Sequence, residues 1–248
     1  MNVLIIPAAG RGSRLAFDGP KLLYPLGGRP LIDYLLERFR PFVDHVVLVI
    51  HPDMEAAVSS HLDNGTDQYS LDYQQTPTGM LDAIVAPMDR IRSWEIDNIW
   101  IAWCDQVGIT EQTATTLADS LHKAKSPCLV LPTIKKQNPY IHLARDTSGN
   151  VVDVLQQREG DEMPDVGEND CGLFGLSADT YFSLLPMFCR ALSSDQTGSE
   201  TAERNFLPFI AWLHNKAEVI TFDAAQEAES LGINTIDDAM RILKMWND

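Results

Sequence analysis

The sequence predicts an α/β fold: one mainly parallel mixed sheet with helices on both faces and a β-rich lid in its second half. Three observations carry this. Short Val/Ile/Leu-rich runs alternate with amphipathic stretches through residues 1–134, the pattern of strands covered on both faces and joined by helical crossovers. From about residue 135 the pattern changes to closely spaced strands separated by polar turns. Finally, 248 residues of which 45% are apolar and 22% charged can bury one large core, which excludes a disulfide-stapled miniature and a disordered chain.

Taken in order, Val3–Ile6 is the first strand. Pro30–Arg40 is a helix, with Pro at the opening turn and Leu31, Leu35, Leu36 and Phe39 on one face. His45–Ile50, Ile99–Trp103 and Cys128–Pro132 are further buried strands, and Gly79–Arg90 and Thr110–Lys123 are helices between them. Parallel strands joined in this way require right-handed crossovers. In the second half, Tyr140–Arg145, Val151–Gln156 and Gly172–Leu176 are strands, and 146–150, Asp-Thr-Ser-Gly-Asn, is a hairpin turn. The acidic segment 160–170 is expected to be a mobile loop. Ala178–Ala191 and Thr201–Asn215 are expected helices and Val219–Phe222 a strand. Thr235 is placed to cap a last helix that turns Ile236, Met240, Leu243 and Trp246 inward. No repeat, low-complexity tract or long linker interrupts the chain. A single domain over 1–248 is expected, with residues 1–134 and 135–248 as its two halves and no appended repeat domain.

Charge narrows the function classes. Lys+Arg is 19 and Asp+Glu 35, a net charge of −16, which disfavours nucleic acid and anionic membranes as partners. No apolar run approaches the about 20 residues of a membrane span. The start, Met1-Asn2-Val3-Leu4-Ile5-Ile6-Pro7, lacks the basic flank of a signal peptide, so the cytoplasm is the expected compartment. Cys104, Cys128, Cys171 and Cys189 form no C-x-x-C pair and are expected as buried thiols. The six histidines lie near no Ser or Cys nucleophile motif, with His142 the one candidate for lining a pocket.

The charge is uneven. Residues 1–40 hold six basic side chains (Arg11, Arg14, Lys21, Arg29, Arg38, Arg40) against three acidic ones, while the remaining 208 residues hold 13 against 32. The cationic segment surrounds a glycine-rich loop, Pro7-Ala8-Ala9-Gly10-Arg11-Gly12-Ser13-Arg14-Leu15, followed by Pro20-Lys21. Small residues let backbone N–H groups converge on phosphate oxygens. Arg14 supplies a forked donor, and Lys21 a compact charge suited to a phosphoryl group whose geometry changes during transfer. The loop is not a P-loop, since no G-x-x-x-x-G-K-S/T occurs. Nor is it the dinucleotide fingerprint, because Leu15 stands where the third glycine belongs.

The string A-A-G-x-G-S-R-L, then P-K after a short gap, resembles the opening signature of the nucleotidyltransferases that activate sugar 1-phosphates and related phosphorylated small molecules. The resemblance implies a Rossmann-like, GT-A-like fold, a nucleoside triphosphate bound by Ala8, Ala9, Gly10, Arg11, Gly12 and Ser13, and Arg14 and Lys21 as catalytic cations. It continues in Gln74-Gln75-Thr76-Pro77-Thr78-Gly79, where it implies that Gln74 reads the nucleobase and Gly79 packs close to it. Trp100 to Asp105 is an apolar strand ending in a carboxylate, and Gly232-Ile233-Asn234 precedes the last helix. In the family these positions hold Mg²⁺, so Asp105 and Asn234 become the expected metal ligands. Cys104 departs from the family's usual Gly, and Cys104-Asp105-Gln106 is closer to the nucleotidyltransferases of molybdenum cofactor synthesis.

For the acceptor, the resemblance points to Gln156, Arg158, Asp170 and Gly172, the last two standing where sugar enzymes have Asn-Thr-Gly. Gln156 or Gln157 replaces a Glu that usually holds sugar hydroxyls. A sugar 1-phosphate is therefore one candidate acceptor, and molybdopterin, phosphocholine and methylerythritol phosphate are others. A nucleotide-sensing module without catalysis is the competing class. The base and the oligomeric state stay open.

Overall fold

The computed structural model describes residues 1–10, 12–62, 68–76, 78–192 and 203–247. Its strands are β1 (Asn2–Pro7), β2 (Pro25–Leu26), β3 (Arg29–Pro30), β4 (His45–Ile50), β5 (Tyr69–Tyr73), β6 (Asn98–Ala102), β7 (Cys128–Gln137), β8 (Ile141–Arg145), β9 (Val151–Gln156), β10 (Val166–Asp170), β11 (Leu173–Ser177) and β12 (Glu218–Asp223). The helices are α1 (Leu31–Phe39), α2 (Glu55–Leu62), α3 (Met80–Val85), α4 (Met88–Ile91), α5 (Glu111–Lys123), α6 (Leu185–Ala191), α7 (Pro208–Trp212) and α8 (Ile236–Asn247).

Among the described residues one eight-stranded sheet runs β10-β7-β11-β6-β1-β4-β5, with β12 along the other edge of β7. β1 pairs in parallel with β4 and β6, β4 with β5, and β12 with β7, whereas β11 enters antiparallel between β6 and β7. This is the mainly parallel mixed sheet that the sequence predicts. Alternate residues of β1 feed two cores. Leu4 and Ile6 pack with Leu31, Leu35 and Phe39 of α1 and Leu117 of α5, and Val3 and Ile5 pack with Leu81 and Ile84 of α3 and with Phe206 and Phe209. Burial on both faces, at roughly 1.5–3 kcal/mol per large aliphatic side chain, is why these strands read as unbroken apolar runs.

Several elements depart from the sequence-based expectation. The segment 160–170 is not a loop throughout: residues 166–170 are β10, paired antiparallel with Thr133–Gln137 and tied by Arg145 to Glu168. Edge pairing overrides a polar composition there. The helix expected at 79–90 breaks at Ala86-Pro87, where proline has no N–H to continue the ladder. That at 178–191 opens with a π-type stretch, Thr180–Leu184, before Pro186. The helix expected at 201–215 shrinks to α7, because residues 203–205 run extended beside residues 78–81; residues 201–202 lie outside the described residues. Edge strand β5, half exposed, was not expected.

Thr235 does cap α8, its Oγ accepting from the Asp238 N–H at 3.2 Å. The inward face differs, however. Ala239 and Ile242 are buried and Leu243 packs at Gly27, while Ile236, Met240 and Trp246 are exposed. The small Ala239 lets the helix lie close at that position, and Trp246 remains at the rim against Tyr34.

Candidate active site

The site lies beyond the carboxyl ends of β1 and β6, the edge of an open α/β sheet where ligands collect. The Ala8 N–H donates to the Val49 carbonyl at 2.7 Å, carrying the β1 pairing one residue past the strand. Ala8 and Ala9 are buried and Gly10 is exposed, with no described residue beyond its chain neighbours within 4 Å of the place a Cβ would occupy. The backbone at Gly10 is therefore open to a close-approaching ligand. A turn at Ser13–Leu15 closes the loop, the Leu15 N–H donating to the Gly12 carbonyl at 2.9 Å while the buried Leu15 side chain anchors it. Arg14 is exposed. Arg11 falls outside the described residues.

A Cβ on Gly12 would stand 2.9 Å from the Lys21 Cβ, so this glycine makes room for the lysine stem. Pro20 and the fully buried Leu22 set the short turn from which Lys21 projects. Its Nζ donates to Asp105 Oδ2 at 2.5 Å and to Asn234 Oδ1 at 2.9 Å. An Arg14 guanidinium nitrogen reaches the same Asn234 oxygen at 3.3 Å. Residues 84 and 213 positions from Lys21 along the chain thus meet at one cation. The Ile233 N–H donates to the Asp105 carbonyl at 3.1 Å, and the buried Ile233 sets the neighbouring Asn234 at the site. Asp238 accepts from the Asn234 and Thr235 N–H groups, fixing the entry to α8. The neighbouring Cys104 is half-buried, and desolvation pushes its thiol up to about 12, which keeps it neutral.

Gln74 and Gly79 also meet. Gln74 is nearly buried at the end of β5, and its Nε2 donates to the Gly79 carbonyl at 3.0 Å. The reason for glycine at 79 is internal: its φ is 130°, and a Cβ would overlap the main-chain N and O of Arg204. The Arg204 N–H donates to Thr78 O, Leu81 N–H donates to Arg204 O, and the Arg204 side chain pairs with Asp82. Gly79→Ala is expected to destabilise the protein by about 2–4 kcal/mol, read as a lower denaturant midpoint at unchanged slope.

On the acceptor side, Gly172 (φ 66°) kinks the chain between β10 and β11, and a Cβ there would stand 2.5 Å from Trp103 Cδ1 and 2.6 Å from Gln106 Cγ. Asp170 is buried and its Oδ2 accepts from the Gly172 N–H at 2.8 Å. Burial, reinforced by the Asp105 charge and opposed by hydrogen bonding and Lys136, raises its pKa from near 3.8 to about 6. Below about pH 4 the carboxyl is protonated folded or unfolded. Between there and 6 the folded chain keeps a proton that the unfolded chain releases, so Asp170's contribution to stability falls as pH rises through 6. Asp170→Asn preserves the acceptor for Gly172. In metal-free buffer it is expected to raise stability at pH 8 by up to about 3 kcal/mol, a gain that vanishes below pH 4 in parallel melting curves.

Gln156 is buried on β9, its N–H donating to Asp161 Oδ2, and Arg158 reaches Glu203 at 2.5 Å. Arg158 is thereby tied to the segment that packs on Gly79 and not to the Lys21 cluster. His142 accepts from the Glu168 N–H and buttresses β10. Two side chains were missed as site residues. Gln106, beside Asp105, is buried with no partner for its Oε1 among the described residues, and Lys136 lies near Asp170 with its Nζ 3.4 Å from Ser230 Oγ. Gln106 reads in sequence as an ordinary turn residue. Lys136 gives no signal before β10 is placed beside β7.

Comparison with known proteins bears on this geometry. The family profile described as the MobA-like NTP transferase domain matches residues 4–165, more than half of the chain. A bifunctional protein GlmU of Pelobacter propionicus is 25% identical over 97% of this chain and 52% of its own length; another, of Zymomonas mobilis, is 22% identical over 98% and 53%. The chain thus spans about half the length of these curated relatives. A Bacillus anthracis structure provisionally designated a glucose-1-phosphate thymidylyltransferase superposes with a TM-score of 0.78 at 13% identity, covering 100% of this chain and 96% of that one. The 4-diphosphocytidyl-2C-methyl-D-erythritol synthase of Anaerococcus prevotii gives 0.66 at 15%, covering 100% and 98%. These superpositions establish the fold. No helix among the described residues is long and apolar enough to cross a membrane.

Proposed function

Because this chain belongs to the MobA-like NTP transferase domain family, a family of nucleotidyltransferases, we propose that it transfers a nucleoside monophosphate from a nucleoside triphosphate to a sugar 1-phosphate, releasing pyrophosphate. The observation that carries the reading is the convergence of Lys21, Asp105 and Asn234 on one point beside the glycine loop. An oxygen of the acceptor phosphate attacks the α-phosphorus in line; the bond from that phosphorus to the bridging oxygen breaks, and pyrophosphate departs with the electron pair. The attacking phosphate is already ionised near neutral pH, so no general base is needed and the work is positioning and charge stabilisation.

The Gly10–Ser13 backbone and Arg14 hold the β- and γ-phosphates, Lys21 stabilises the α-phosphate as its charge redistributes, and Gln74 with Gly79 borders the base. Asp105 and Asn234 would hold Mg²⁺. The donors fit this ion: a carboxylate and an amide oxygen, both hard, already converge on a cation. Mg²⁺ would supply Lewis-acid neutralisation of the phosphate oxygens. Residues 1–134 form the nucleotide half. From 135–248, Gln156, Arg158, Asp170 and Gly172 face the acceptor, in a chain expected to work in the cytoplasm.

A second reading keeps the chemistry and changes the acceptor to a non-sugar phosphate such as molybdopterin, phosphocholine or methylerythritol phosphate. Cys104-Asp105-Gln106, and the neutral Gln156 in place of a carboxylate, favour it. Pyrophosphate release, measured for each triphosphate against a panel of sugar 1-phosphates and these alternatives, tests both. Release with one sugar 1-phosphate supports the first reading, and release only with a non-sugar acceptor supports the second. Thermal stabilisation by a triphosphate with no release from any acceptor would identify a nucleotide sensor.

A further inference from the structure

Two buried side-chain atoms have no hydrogen-bond partner among the described residues, Trp100 Nε1 and Gln106 Oε1. The indole of Trp100 lies in the core, packed against the rings of Phe39 and Phe42. Gln106 is placed differently. It follows Asp105 directly in the turn after β6, and only 7% of the residue is exposed. No described residue bonds its amide at either end, so turning the amide over, which exchanges oxygen and nitrogen, gains nothing. The residue is nevertheless firmly held. Its main-chain N–H donates to the Trp103 carbonyl at 3.1 Å, and the Trp103 N–H donates to the Gly172 carbonyl at 2.9 Å. A Cβ on Gly172 would stand 2.6 Å from Gln106 Cγ, so the kink beside the buried Asp170 makes room for the glutamine stem. Leucine or methionine would fill that space with no polar group to satisfy. An unbonded buried amide costs stability, and such costs are retained where a ligand makes use of them.

We infer that Gln106 is an acceptor-specificity residue, whose amide bonds a hydroxyl of a polyhydroxylated acceptor. This rests on the reading above, in which the neighbouring Asp170 and Gly172 face the acceptor and Asp105 lies at the reacting phosphates. An amide presents an acceptor and two donors in one plane, and a hydroxyl can both donate and accept, so a sugar or polyol satisfies it. The choline group of phosphocholine has no N–H or O–H and leaves the amide unbonded. Selection in this direction is effective, because a site built to bond a hydroxyl disfavours the analogue that lacks it.

The test compares the full-length wild type with Gln106→Met, which keeps an unbranched stem and removes the amide. Without ligands the variant is expected to melt about 2–4 °C higher, since an apolar end replaces an unbonded buried amide. An equal or lower melting temperature would mean that the free fold uses the amide, and overturns the inference. Pyrophosphate release is then measured for both proteins with the acceptor panel above, and with monodeoxy analogues of the hydroxylated acceptor that reacts. The variant is expected to lose at least about tenfold in kcat/KM for that acceptor, with KM for the triphosphate changed by less than about threefold. One monodeoxy analogue is expected to be at least about tenfold poorer than its parent for wild type and equal to it for the variant, which a merely structural role would not produce. If both proteins rank the analogues alike, the inference falls and the nucleotidyltransferase reading stands. If methylerythritol phosphate alone reacts and the variant loses this discrimination, the sugar 1-phosphate falls and the role of Gln106 stands. Release only from phosphocholine or molybdopterin, or from no acceptor, overturns it.

Discussion

Asp105→Ala is expected to reduce kcat/KM by about a thousandfold or more, with no recovery at raised Mg²⁺. The substitution removes the one charged oxygen of the proposed metal pair and leaves Asn234 to hold a divalent ion through a neutral amide alone. It also takes from Lys21 one of the two acceptors it bonds. The fold is expected to persist, because the contact to the last segment runs through the Asp105 main-chain carbonyl, which the variant retains. Asp105→Asn is the informative companion: it keeps the shape, loses the charge, and should fall between alanine and wild type. Steady-state rates over a Mg²⁺ titration, with circular dichroism as the control for folding, give the answer. A rate within about threefold of wild type would remove Asp105 from the reaction.

The next largest effect is expected from Lys21→Ala, a loss of about 10²–10³ in kcat, with a change of less than about tenfold in KM for the triphosphate. The asymmetry follows from where charge moves. The oxygens on the α-phosphorus gain most from a point charge while bonds are breaking, whereas the proposed reading has Arg14 and the loop also hold the ground-state triphosphate. Lys21→Arg is not expected to restore the rate, since the planar fork is a poor substitute for a compact ammonium in the space beside Gly12. A KM that rises more than kcat falls would make Lys21 a ground-state anchor.

Much of this was legible in the chain because it rests on local chemistry. The buried strands announce themselves by unbroken apolar runs, and the loop from Ala8 to Arg14 by small residues beside cations. The Thr235 cap lies in plain view. The misreadings share one cause. β10 is polar yet pairs along β7, the segment 203–205 is straightened by main-chain bonds to residues 78–81, and α8 turns Ala239 inward while Met240 faces solvent. In each case a partner remote in sequence outweighs a weak local preference. Gly79 is the same lesson in a single residue: its spacing from Gln74 is legible in the chain, and only the packed structure shows that the Arg204 backbone fills the place a Cβ would take.

By itself the sequence determined the α/β class, the succession of the buried strands along the chain and the position of the glycine-rich loop, since periodicity, turn chemistry and a run of small residues are properties of neighbouring positions. Only the tertiary structure decided that Lys21, Asp105 and Asn234 share one point, that Asp170 is a buried acid beside them, and that Gln106 holds an oxygen at the same edge with no partner among the described residues. Those are consequences of β1, β6 and the entry to α8 ending together, and distance along a chain carries no information about distance in space until the sheet has closed the loops between.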